Sequence, residues 1–162
     1  MYKRYRSHEE TPLLPADLND IVEKYKHIFT VYSDIPDKHS IYPEVKRTPN
    51  KLSVLFPLKE HPIHGKTGLL ATEKYDNEGF VTEYHYQWKL LIPKKGVHLS
   101  QVTAWENEAH SYPKYQTASE PHHHHHDPGD RSKRKENWDV RTLDEILGFI
   151  EKYIVSKREY MP

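Results

Sequence analysis

A stretch of alternating apolar and polar residues at 80–92 constrains the fold of this chain more than any other feature. The even-numbered positions are Phe80, Thr82, Tyr84, Tyr86, Trp88, Leu90 and Ile92, and the odd-numbered positions include Val81, Glu83, His85, Gln87 and Lys89. Successive side chains of a β-strand point to opposite faces, so a period of two predicts a strand. We expect its aromatic face to meet the core and its mostly polar face to meet water or a ligand.

Neighbouring segments share this period and predict an antiparallel meander. Residues 52–56 and 69–75 are expected to form strands, and residues 97–106 a further strand after a turn at 93–96. The sequence Asp-Asn-Glu-Gly at 76–79 favours a hairpin, because Asn and Gly tolerate positive φ. The sheet should therefore contain four or more strands.

Two amphipathic helices are predicted, one near each end of the chain. Pro15 suits the first turn of the earlier helix, and Thr142 with Glu145 fits a capping box that opens the later one. The apolar positions at helical spacing are Leu18, Ile21, Val22, Tyr25, Ile28 and Phe29, and then Leu143, Ile146, Leu147, Ile150 and Ile154. We predict a single α+β domain at 15–160, with both helices on the aromatic face, after a flexible arm at 1–14.

Two further segments lack a regular apolar period and are expected to be irregular. Residues 33–50 are rich in Pro, Asp and Asn, which favour turns. Residues 107–139 are predicted to form one long loop, and a loop of this length in a compact domain is often functional. The second segment also has the most unusual composition of the chain.

Charge and composition exclude several classes of protein. Lys plus Arg total 24 and Asp plus Glu also total 24, so the chain has no net charge. A charged partner must therefore bind to a local patch of opposite charge. The absence of cysteine excludes a thiolate zinc site and a cysteine nucleophile, which leaves histidine as the soft ligand. No apolar stretch approaches the ~18 residues of a membrane span, and no signal-peptide core is evident. We expect a cytoplasmic protein with no membrane partner.

Five consecutive histidines at 122–126 are the first candidate functional feature. In an extended stretch, His122, His124 and His126 project to one side, so their imidazoles could converge on one point. A pair of imidazoles can supply a general base and a general acid at neutral pH. Cleavage of a phosphodiester by a ribose 2′-hydroxyl needs this chemistry and requires no cofactor.

Other interpretations of the same run remain open. With Asp127, the imidazoles of His122, His124 and His126 could hold a divalent metal such as Zn or Ni. Contiguous ligands lack the spacing that makes a metal motif specific, so the sequence does not choose between the two chemistries. An affinity tag or a solvated surface loop would also explain consecutive histidines.

Further candidates lie at the rim of the predicted sheet. Glu106 and His110 follow the strand at 97–106 and would place a carboxylate and an imidazole beside the histidine run. Glu73 lies in a neighbouring strand, although a charged residue within a strand is usually exposed. We predict these three residues as further catalytic candidates.

Candidates for binding a substrate are mainly cationic. Arg131, Lys133 and Arg134 lie just after the histidine run and could hold a phosphate. The same basic run would equally suit a solvated turn. Tyr86, in the aromatic strand, is the remaining candidate for substrate binding.

Five motifs follow one another along residues 67–155. They are Glu73, Tyr84-His85-Tyr86-Gln87, Trp105-Glu106-Asn107-Glu108-Ala109-His110, a Pro-His-His-His segment at 121–124, and Thr142-Leu143-Asp144-Glu145-Ile146-Leu147. This order resembles the TumE family of small bacterial proteins, in which a Trp-Asp-Asn-Ala-Pro-His-His-like segment precedes a Pro-His-His-x-His-like one. This chain departs from that pattern at Glu106 and at Glu108-Ala109. The resemblance implies the toxin half of a toxin–antitoxin pair, with a helix-turn-helix antitoxin as partner.

Together, the histidine chemistry and the resemblance predict a TumE-like toxin-system protein that binds RNA and could cleave it as a histidine-dependent ribonuclease. A non-catalytic interaction protein is the alternative from a different class, with the long loop and the polar strand face as its binding surface. A metal-binding protein is the third alternative.

Overall fold

Seven antiparallel strands, counted over the described residues, form one sheet in which each strand neighbours the next along the chain. The computed structural model describes residues 12–33, 40–92, 101–108, 116–119, 121–125 and 134–161, with the backbone alone at 124 and 125. The strands are β1 Glu44–Thr48, β2 Lys51–Pro57, β3 Thr67–Tyr75, β4 Val81–Leu90, β5 Gln101–Glu106, β6 His123–His125 and β7 Arg134–Glu136. The helices are α1 Leu18–Tyr25, continued by a 3₁₀ turn at Lys26–Ile28, and α2 Leu143–Ser156. The predicted α+β fold class is confirmed.

The aromatic strand β4 lies in the middle of the sheet and behaves as its alternation predicts. Tyr84, Tyr86 and Trp88 are buried, and we call the side of the sheet that carries them the core face. Phe149 and Tyr153 of α2 contact this face, since the ring of Phe149 lies 5.1 Å from that of Trp105 and Tyr153 lies 5.8 Å from Trp88. The opposite side, which we call the outer face, carries the polar side chains of β4.

The N-terminal helix begins later than its sequence predicts. Asp17 is the N-cap and accepts a hydrogen bond from the backbone N–H of Asp20 at 3.2 Å, so Pro15 precedes the helix rather than occupying its first turn. The Tyr25 hydroxyl donates to the Asp144 carboxylate at 2.8 Å, which ties α1 to the first turn of α2. Gly148 allows this approach, because a Cβ there would lie 3.3 Å from the Tyr25 hydroxyl.

The C-terminal helix confirms its predicted capping box. The Thr142 hydroxyl accepts from the backbone N–H of Glu145 at 3.2 Å, and the Glu145 carboxylate accepts from the backbone N–H of Thr142 at 3.1 Å. The five apolar positions predicted for this helix are all buried in the core. Among the described residues, no helix has the length and apolar character needed to cross a membrane.

Two segments predicted to be irregular contain strands, and the reason is the same in both. The segment at 33–50 contains β1, whose five residues are all exposed, so no apolar period marks it. The segment at 107–139 contains β6 and β7, and β6 consists of histidines alone. Backbone hydrogen bonds hold both strands without an apolar side-chain pattern, β1 at the edge of the sheet and β6 between β5 and β7, so the expected period is missing from the sequence.

Two histidines outside the run hold the C-terminal segment against the β2–β3 connection. His61 is buried, accepts at Nδ1 from the backbone N–H groups of Ile63 and His64, and donates from Nε2 to the carbonyl of Arg158 at 2.7 Å. Nε2 of His64 accepts from the backbone N–H of Tyr160 at 2.9 Å. These imidazoles have structural roles as hydrogen-bonding groups.

Candidate functional site

A carboxylate held between two imidazoles is the main polar feature of the outer face. Glu106 ends β5, and the strand register places it beside His85 of β4 and His123 of β6. Nε2 of His85 lies 3.1 Å from one carboxylate oxygen, and Nε2 of His123 lies 3.1 Å from the other. The sheet therefore brings together three ionisable groups from three separate parts of the sequence.

The three groups differ in their access to solvent. His123 is 0% exposed and Glu106 is 7% exposed, whereas 31% of the His85 side chain is exposed. A cavity of about 170 Å³ adjoins this group. Its lining consists of Thr72, Lys74, Glu83, Tyr84, His85, Glu106 and Glu108. A ligand in this cavity would meet His85, and His123 would lie behind Glu106.

The hydrogen-bond partners of His123 fix a proton in this group. Nδ1 of His123 lies 3.0 Å from the carbonyl oxygen of Pro121, which can only accept, so Nδ1 carries a hydrogen. Nε2 faces Glu106, and a second proton must lie between these two atoms for them to bond. These two contacts hold the His123 ring in one orientation against Glu106.

His85 is placed to exchange protons with a ligand. Its Nε2 faces Glu106, while the side-chain nitrogen of Gln87 lies 3.0 Å from both ring nitrogens and holds the ring in place. An imidazole oriented by a carboxylate is a general base, because the carboxylate stabilises the imidazolium that forms. This arrangement can therefore carry acid–base chemistry at the exposed edge of His85.

His122 lies away from this group, so it does not share a site with Glu106. It is buried on the core face, where its Nδ1 lies 2.8 Å from the Tyr84 hydroxyl. The side-chain amide of Asn137 donates to the same hydroxyl oxygen at 3.3 Å, which leaves the hydroxyl hydrogen for His122. Burial lowers the pKa of His122 to about 4, and the positive charge of Arg141 adds to the effect. His122 is a neutral acceptor that docks β6 on the core.

The stability of the protein should fall in acid because of His122. In the unfolded chain its pKa is about 6.5, so the unfolded state binds more protons between that pH and about 4. Stability is then complete above pH ~6.5 and declines as the pH falls, by about 2 kcal/mol between pH ~7 and pH ~5. Urea unfolding at the two pH values measures this loss. A His122→Gln variant should lose about 2 kcal/mol less than the wild type over the same range, and an equal loss in both proteins would contradict the assignment.

Glu73 and Tyr86 lie on the core face, which corrects their grouping with the catalytic and substrate-binding candidates. The Tyr86 hydroxyl donates to the Glu73 carboxylate at 2.6 Å, the Tyr75 hydroxyl donates at 2.8 Å, and the backbone N–H of Ala16 donates at 3.1 Å. Burial and the adjacent carboxylate raise the pKa of Tyr86 well above its ordinary value. Glu73 therefore anchors the segment before α1 to the sheet and shares no face with Glu106.

Several candidate residues lie outside the described part of the chain. They are His110, His126, Asp127, Arg131 and Lys133, together with the side chain of His124. Arg134 is described and lines a separate depression beside Trp138. Within the described ranges, no three His, Asp or Glu side chains are grouped closely enough to hold a metal.

Sequence reasoning did not name His85 as a candidate, and within the histidine run it selected His122, His124 and His126 rather than His123. The sequence does mark both residues. His85 lies among the alternating polar positions of β4, and His123 belongs to the run of five histidines. What the sequence lacked was the register that sets them beside Glu106. Comparison of the chain with family models, curated proteins and solved structures found no match.

Proposed function

We propose that this chain is a TumE-like toxin-system protein that cleaves RNA, with His85 as its general acid–base group. The observation that carries the proposal is the carboxylate of Glu106 between the imidazoles of His85 and His123. The exposed edge of His85 supports contact with a substrate, and the buried His123 supports a fixed position for Glu106. The resemblance to the TumE family supports the cellular role.

The proposed reaction is an intramolecular transfer within the RNA chain. Nδ1 of His85, on release from the side-chain nitrogen of Gln87, takes the proton of a ribose 2′-hydroxyl, and the 2′-oxygen forms a bond to the adjacent phosphorus. The bond from phosphorus to the 5′-oxygen breaks, and the His85 imidazolium returns its proton to that oxygen. The products are a 2′,3′-cyclic phosphate and a 5′-hydroxyl, so atoms and protons balance without a metal.

Lys74 is the cation that lines this cavity and is proposed to meet the phosphate. It forms an ion pair with Glu83 at 3.1 Å in which half or more of each side chain is exposed. Such an exposed pair contributes little to stability, so Lys74 can turn to a substrate at small cost. The cation offsets part of the negative charge that Glu83, Glu106 and Glu108 bring to the cavity.

A labelled single-stranded RNA tests the proposed reaction. We expect cleavage that persists in EDTA, leaves a cyclic phosphate, and fails at a position where the ribose is replaced by 2′-deoxyribose. His27→Ala is the matched control, because His27 lies 2.6 Å from Glu151 in another imidazole–carboxylate pair far from the cavity in sequence. Cleavage of the deoxy position at the same rate, or loss of all cleavage in EDTA with recovery on adding one metal, would overturn the mechanism.

The edge strand β1 favours a second candidate function, a non-catalytic module that binds an antitoxin. All five of its residues are exposed, and within the part of the chain that the structure describes β1 is an edge strand of the sheet. An exposed edge can add a strand from a partner. A protein that cleaves no RNA but binds its antitoxin, and loses that binding in Lys46→Pro, would favour this function over the ribonuclease.

A further inference from the structure

Trp138 is held at the surface in a fixed orientation. It is 48% exposed, whereas the other two tryptophans of the chain, Trp88 and Trp105, are buried. Its indole N–H donates to the Glu136 carboxylate at 2.9 Å, and the guanidinium carbon of Arg141 lies 5.9 Å from the ring centre. A large aromatic ring that is both exposed and held in place is suited to stacking on a ligand.

The surroundings of Trp138 add positive charge and hydrogen-bonding groups. An open depression of about 650 Å³ runs beside the ring. Its lining includes two cations, Arg134 and Lys135, one carboxylate, Glu136, and the polar side chains of Gln116 and Thr117. The chain as a whole has no net charge, so attraction of an anion depends on local groups of this kind. An aromatic platform beside cations matches the combination that binds single-stranded nucleic acid, in which bases stack and phosphates meet cations.

The strand register connects this depression with the Glu106 site. Glu106 pairs with His123, and His123 pairs with Glu136, which holds the indole of Trp138. Neighbouring strands lie about 4.8 Å apart, so the backbone of Glu136 is about 10 Å from that of Glu106. The two places are therefore two strands apart, with the buried His123 between them.

We propose that the Trp138 depression is a binding subsite for single-stranded polynucleotide, with a base stacked on the indole and phosphates on Arg134 and Lys135. The inference rests on the proposed function and names its substrate class as single-stranded. A duplex hides the faces of its bases within the helical stack, so it would not offer the indole a stacking partner.

Binding of a short oligouridylate to catalytically inactive His85→Ala protein tests this subsite. Iodide quenches the fluorescence of exposed tryptophans, and Trp138 is the exposed tryptophan. The oligonucleotide should therefore quench the same part of the tryptophan fluorescence that iodide quenches. Affinity measured by anisotropy of the labelled oligonucleotide should fall about tenfold or more in Trp138→Ala, with partial recovery in Trp138→Phe. For two phosphate contacts, the slope of log affinity against log salt should be about −1.4.

A charge variant provides the matched control. Lys135→Ala should weaken binding and reduce the salt slope by about half, whereas Lys152→Ala, an exposed lysine of α2, should have no effect.

Retained binding by a wild-type protein that cleaves no RNA would support the subsite and refute the ribonuclease. Equal affinity of the wild type and Trp138→Ala, or equal affinity for duplex and single strand, would overturn the subsite. Loss of antitoxin binding in Trp138→Ala, with oligonucleotide affinity unchanged, would assign the surface to a protein partner instead.

Discussion

Replacing Glu106 with glutamine is expected to reduce the rate of RNA cleavage by a factor of about 10² to 10⁴, the range typical of general acid–base catalysis. The amide keeps the size of the carboxylate but removes the charge that stabilises an imidazolium at His85, 3.1 Å away. It also leaves one acceptor oxygen for two imidazoles, because the other carboxylate oxygen becomes an NH2 group that can only donate. Single-turnover cleavage of labelled RNA by folded protein measures the effect.

The control for this prediction is Glu151→Gln, which alters the imidazole–carboxylate pair at His27 in the same way. Its cleavage rate should equal that of the wild type. A folded Glu106→Gln protein that retains the wild-type rate would contradict the proposed role of Glu106. A His85→Gln protein with the wild-type rate would contradict the role of His85.

Replacing Glu73 with alanine is expected to destabilise the fold by about 4 kcal/mol, because three donors lose their acceptor at once. Those donors are the hydroxyls of Tyr75 and Tyr86 and the backbone N–H of Ala16. Tyr86 is buried and would be left without this partner in a place that water does not reach. The free energy of unfolding in urea measures the loss.

An exposed glutamate gives the comparison for Glu73. Glu78→Ala, in the β3–β4 hairpin, should change the free energy of unfolding by less than about 0.5 kcal/mol. Cleavage per folded molecule should be unchanged in Glu73→Ala. A loss of stability below about 1 kcal/mol, or loss of cleavage by protein that is still folded, would return Glu73 to the list of catalytic candidates.

The parts of the fold that the sequence predicts are those in which local pattern and packing agree. The alternation around Tyr86 and Trp88 places their side chains on one face, and the core occupies that face. The capping box at Thr142 opens α2 as predicted. β1 and β6 have no such agreement, because the first is exposed on both faces and the second is made of identical residues.

The candidate site depends on strand register, which a run of identical residues cannot specify. A slip of one residue would exchange His122 and His123 between the two faces of the sheet without changing the sequence pattern. Contacts between residues that are distant in sequence set the register instead. On the core face His122 contacts the Tyr84 hydroxyl, and on the outer face His123 contacts the Glu106 carboxylate. The partners of Glu73 are equally non-local, because Tyr86 lies 13 residues away.

Long-range ¹H–¹⁵N NMR of the imidazole rings tests the grouping of Glu106 with two histidines most directly. Spectra of histidine-labelled wild type and Glu106→Gln are compared, and the signals of His85 and His123 are identified by their loss in His85→Gln and His123→Gln. The arrangement described above predicts that these two rings, out of thirteen histidines, show the largest shifts on replacing Glu106. If both signals stay in place while the variant remains folded, the carboxylate does not hold the two imidazoles.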